Sequence, residues 1–94
     1  MEKYLIVIEK AENNFSAFSP DILGCVATSD TVEKVVDEMK ELVMTHLEAL
    51  IEKGEEIPQP KGISQHIQNG IFAKGEVADE YFITEVEISL SQHV

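Results

Sequence analysis

The feature that most constrains this chain is one long apolar stripe in its middle. Val32, Val35, Val36, Met39, Leu42, Val43, Leu47, Leu50 and Ile51 recur at the spacing of a single helix face. Asp30 is expected at the N-cap, with Glu33 three residues on completing a capping-box-like start. Gly54 follows as a C′ residue with Lys53 in the last turn, and Pro58 and Pro60 then forbid continuation. The pattern predicts a helix from about Thr31 to Lys53, roughly 34 Å long at 1.5 Å per residue.

The flanking segments have a different period. Lys3–Glu9 is rich in β-branched and aromatic residues with both faces apolar, so it is expected as an interior strand. Ala11-Glu12-Asn13-Asn14 supplies turn residues, Phe15–Ser19 resumes as a second strand of a hairpin, and Pro20-Asp21 ends it. Gly24–Thr28 forms a short third strand. Tyr81–Leu90 alternates Phe82, Val86, Ile88 and Leu90 against Glu85, Glu87 and Ser89, which predicts a sheet with one face buried and one solvated. Residues 61–80 are less regular: Ile63, Ile67 and Ile71 suit a short helix packing on the sheet, and Gly62, Gly70 and Gly75 interrupt it. The expectation is one α+β domain over 1–94 in two layers. Its order is β-β-β-α-β, with one long helix packed on a small, mainly antiparallel sheet.

Eighteen acids against 7 bases give a net charge of −11, and every base is lysine. Nucleic-acid binding runs on neutralising phosphates with Lys and Arg, so direct binding to DNA or RNA is not expected. A cationic protein surface is the partner such a field would attract. No apolar run approaches the ~20 residues of a membrane span. The first strand starts almost at the N-terminus, leaving no room for a secretory signal, and a cytoplasmic location is expected. Cys25 is the single cysteine, which excludes an internal disulfide and reads as a small core residue.

Chemistry-bearing motifs are missing. His46, His66 and His93 show no metal-ligand spacing, there is no HExxH or CxxC, and the glycines form no phosphate-binding loop. No catalytic residue, metal or cofactor is assigned. Glu9 and Glu87, at strand ends, are the acids that a metal-dependent nuclease reading would need. The helix instead presents Glu33, Asp37, Glu41, Glu48 and Glu52 along one side. Like charges at i, i+4 cost roughly 0.2–0.5 kcal/mol a pair, so a basic partner is one reason to keep such a ridge and solubility another.

Residues 15–33, FSAFSPDILGCVATSDTVE, carry more than their composition. The series Pro20-Asp21, Gly24-Cys25, Thr28 and Asp30-Thr31 resembles the signature of the HicB-like antitoxin family. The later Leu47-Glu48-Ala49-Leu50 and Gly54-Glu55-Glu56-Ile57-Pro58-Gln59-Pro60 are similar to it as well. Leu23 and Ser29 stand where that pattern commonly has proline and glycine. The resemblance implies a fold like a degraded RNase H core. It also implies an antitoxin that neutralises a small basic HicA-type mRNA-cleaving toxin by covering its active surface. An orphan interaction or ligand-binding domain and a residual nuclease are the alternatives. Many family members carry a further DNA-binding segment, and none is expected here. Pro20, Gly24, Cys25 and Asp30 are expected to be structural. Asp21 and the ridge acids Glu33, Asp37 and Glu41 are the candidate toxin contacts, chosen on charge and expected exposure. The open edges of a small sheet add the expectation of a homo-oligomer.

Overall fold

The computed structural model describes residues 2–90; the tail expected over 91–94, with His93, lies outside them. The elements run β1 (Glu2–Lys10), β2 (Phe15–Phe18), β3 (Val26–Ser29), α1 (Val32–Glu52), α2 (Ile63–Gln68) and β4 (Tyr81–Ile88). The four strands form one sheet in the order β3-β2-β1-β4, every pair antiparallel. β1 is interior, as its two apolar faces require. The long α1 lies on one face of this sheet, giving the two-layer α+β arrangement.

Register assigns the faces. Tyr4, Ile6 and Ile8 share the helix side with Ala17, Ala27, Val86 and Ile88, and meet Val35, Met39, Val43 and Leu47 of α1 in one buried cluster. Only this i, i+4 line of the helix is fully buried. Leu42 and Ile51, expected in the same stripe, are 42% and 38% exposed. Leu42 lies beside that line, and Ile51 is its next position in the last turn of the helix.

The helix ends correct one expectation and meet another. The N-cap is Thr31 and not Asp30: Thr31 is extended, and its Oγ1 accepts from the Lys34 N–H at 3.1 Å. Asp30 sits one residue outside, because the β-branched Thr31 already has the extended backbone and the hydroxyl that the cap needs. Thr31→Ala should therefore destabilise the fold by about 1 kcal/mol while Asp30→Ala costs only a few tenths, a difference readable in urea midpoints. At the other end Glu55 N–H bonds Leu50 O at 2.9 Å and Gly54 N–H bonds Ile51 O at 3.0 Å. Gly54 carries φ 74°, the left-handed C′ glycine that terminates such a helix.

The far face of the sheet departs from a simply solvated surface. Leu5 and Val7 are 2% and 0% exposed although they point away from α1. Two contacts show the segment after α2 folding back over that face. Phe72 stacks on Tyr81 at 5.4 Å, and Ala78 N–H bonds the Glu9 carboxylate at 2.8 Å. Away from this cover the face is open, with Val26 and Ile83 61% and 44% exposed.

Candidate functional site

β2 stops at Phe18, one residue before Ser19-Pro20, because proline has no amide to add to the ladder. β1 continues past that point, so the Leu5 N–H faces a position that β2 has vacated. Asp21 fills it. Its Oδ2 accepts from Leu5 N–H at 3.0 Å, and its Oδ1 from Lys61 N–H at 3.0 Å and from His66 Nε2–H at 2.6 Å. The Asp21 and His66 side chains are 1% and 4% exposed. One carboxylate thus joins the sheet, the stretch after α1 and the short α2.

This geometry corrects the sequence expectation on two counts. Asp21 was a candidate toxin contact because it should be exposed; it is buried, with three donors on its two oxygens. In α2, Ile63 and Ile67 were expected to pack on the sheet, yet they are 37% and 57% exposed and His66 is the buried residue. A buried carboxylate must be hydrogen-bonded, and that need turns the helix. The sequence holds one weak sign of it: His66 is the only ring donor between Gly62 and Gly70.

Tyr4 belongs to the same corner. Its hydroxyl donates to Pro58 O at 2.8 Å, pinning the proline-rich stretch. Burial first, then the negative charges of Glu2 and Asp21, push its phenol above the usual 10.0. The remaining structural candidates lie nearby. Pro20 is half-buried, and Gly24 turns the chain at φ 92°. Cys25 is in the core, 5% exposed, and burial pushes its thiol up.

The other candidates lie elsewhere. Glu33, Asp37 and Glu41 are exposed and stand one turn apart on the solvent side of α1, far in the chain from Asp21 and not joined to it. Glu9 and Glu87 project from the same far face, since Glu9 pairs with Tyr81 and Glu87 follows six positions along β4. That places them about 20 Å apart at 3.3 Å per residue, too far to share a metal. Among the described residues, no group of three His, Cys, Asp or Glu could hold a metal ion. No helix of the described residues is long and apolar enough to cross a membrane.

Residues 4–92 match the family described as the HicB-like antitoxin of bacterial toxin–antitoxin systems. The chain belongs to that family. One relative is an uncharacterised 14.9 kDa protein of Haemophilus phage HP1, encoded in the rep–hol intergenic region. It is 28% identical over 88 residues, covering 94% of this chain and 62% of the phage protein. The chain therefore spans about three-fifths of that relative. Among solved structures, the N-terminal domain of the Burkholderia pseudomallei antitoxin HicB superposes with a TM-score of 0.75 at 23% identity. That match covers 94% of this chain and 99% of that one. A chain from the HicA3–HicB3 toxin–antitoxin complex aligns with a TM-score of 0.67 and 28% identity, covering 94% of this chain and 99% of that one. The α+β layout of a four-stranded antiparallel sheet under one long helix is thus the HicB N-terminal fold.

Proposed function

We propose that this HicB-like chain is an antitoxin that binds a small basic HicA-type toxin and silences its cleavage of mRNA by covering the active surface. The observation that carries the reading is the likeness to the HicA3–HicB3 complex. The matched chain there is covered over 99% of its length, so its whole extent has a counterpart in this domain. Electrostatics point the same way. A toxin built to hold phosphates offers a cationic surface, and a chain of net charge −11 would be steered towards it. The ridge acids Glu33, Asp37 and Glu41 are exposed and aligned to contribute to that steering.

A non-catalytic role belongs to this reading. Its supports are the separation of Glu9 from Glu87 and the confinement of His66 and Asp21 to a buried pair in which each occupies the other. We treat 1–94 as one domain acting in the cytoplasm without direct nucleic-acid contact. Self-association is included because β3 and β4 each keep an unpaired edge; light scattering that found only monomer at micromolar concentration would remove it.

The direct test is co-expression with the small basic protein expected to be encoded beside it. The antitoxin reading predicts that the basic protein alone arrests growth, and that this chain restores growth and co-purifies with it. Growth arrest that persists with this chain present at equal level would contradict it, and would favour an orphan interaction domain.

A further inference from the structure

The outer edge of β4 combines three properties found together nowhere else in the described molecule. It is paired on one side only, to β1. It exposes three consecutive large apolar residues, Tyr81, Phe82 and Ile83, at 37%, 47% and 44%. Acids flank them, Asp79 and Glu80 before and Glu85 and Glu87 after, all exposed.

Hydrogen bonding fixes which backbone groups are free. Lys10 N–H bonds Glu80 O at 3.0 Å, so the even-numbered residues of β4 face β1. The acceptance of the odd-numbered Leu5 N–H by Asp21, on the opposite side of β1, is consistent with that phase. Tyr81, Ile83, Glu85 and Glu87 consequently direct their N–H and C=O groups outward, with no backbone partner among the described residues. Eight residues of open ladder is long for an unprotected edge.

Charge selects the occupant. Two lysines lie near, Lys10 at 3.8 Å from Glu80 and Lys3 opposite Glu87 in register. Four acids against two lysines leave the edge negative. Antiparallel pairing of β4 with a second copy would bring two such acid-flanked edges together, which opposes self-pairing here. The β3 edge, with Leu23 and Val26 exposed and no charge between them, suits a contact between copies better.

We infer that the β4 edge receives a fifth, antiparallel strand from a basic partner, with apolar side chains on the helix side and Lys or Arg on the far side. The two faces dictate that alternation. Phe82, Thr84 and Val86 line the helix side, while Ile83, Glu85 and Glu87 line the far side. Under the antitoxin proposal, on which the identity of the partner rests, that strand belongs to the toxin. The α1 ridge then governs the approach and the β4 edge the hold.

The test uses the full chain, isotope-labelled, titrated with a blocked octapeptide of alternating lysine and valine, with a glutamate–valine peptide for comparison. The expected result is amide shifts concentrated at 81–88 for the lysine peptide only. Glu85→Lys with Glu87→Lys should weaken binding at least about tenfold, while Glu55→Lys with Glu56→Lys, the same charge change on an exposed stretch, should alter it by no more than about twofold. Ile83→Pro removes an outward N–H without touching the β1 ladder, so it should abolish binding in a chain whose circular dichroism is unchanged. Shifts centred on α1, equal loss in the two double variants, or no binding at millimolar peptide would overturn the inference. Binding of the neighbouring basic protein by wild type and by the Glu85→Lys, Glu87→Lys chain alike would also overturn it and leave the antitoxin reading standing. Failure of that protein to bind, with the peptide still mapping to β4, would remove the antitoxin reading alone.

Discussion

Asp21→Ala is expected to be the most damaging single substitution outside the apolar core. It strips the acceptor from the buried Leu5 amide, from the part-buried Lys61 amide and from the buried His66 ring together. Leaving a buried donor without its acceptor costs roughly 1–3 kcal/mol, and here three donors lose theirs at once. A domain of this size has about 5–10 kcal/mol in total, so the variant should be close to unfolding at room temperature. His66→Ala should cost less, about 1–3 kcal/mol, since it leaves the carboxylate with both backbone donors. Urea unfolding of the two variants beside wild type gives the order directly. A wild-type midpoint for Asp21→Ala would mean that the triple junction is not what holds the residues after α1 to the sheet.

Leu47→Ala carries the second large effect. Leu47 closes the buried i, i+4 line of α1 and is 0% exposed, so its truncation should cost about 2–5 kcal/mol in transfer and cavity terms. Ile51→Ala, four residues on in the same sequence stripe, should cost under about 1 kcal/mol because Ile51 already meets water. Similar losses at the two positions would show that the sheet covers the helix as far as its last turn.

That contrast also shows what hydropathy can and cannot convey. The strands, the long helix and its glycine stop follow from local periodicity and turn chemistry, and they appear where residue types place them. The extent of the buried helix face does not, since it depends on how far a layer assembled from distant strands reaches along and across the helix. Thr31 and Asp30 are both good caps, and only the backbone angle at Thr31 decides between them. Asp21 and His66 illustrate the larger gap. Each alone resembles a surface residue, and their partnership spans 45 positions of sequence, so the burial of one is visible only once the other is placed. The candidate contacts divided accordingly: the acids of a regular helix could be placed on its outer side from spacing, while the acid in an irregular connection could not.

The β4 edge was legible in part. Its alternation predicts a strand with carboxylates on one side, but edge position is a property of strand order, and strand order is not written in any single segment. Knowing that β1 lies inside and β4 outside turns the same Tyr81-Phe82-Ile83 run from a core fragment into an open ladder with a negative border.

The most direct test of the antitoxin account is a titration of ribonuclease activity. The purified basic protein expected to be encoded beside this chain is given an RNA substrate, and this chain is added in increasing amounts. The account predicts that cleavage falls to background as the ratio reaches equivalence, and that the inhibition weakens as salt is raised. Cleavage that continues undiminished at a severalfold excess of folded chain would contradict it.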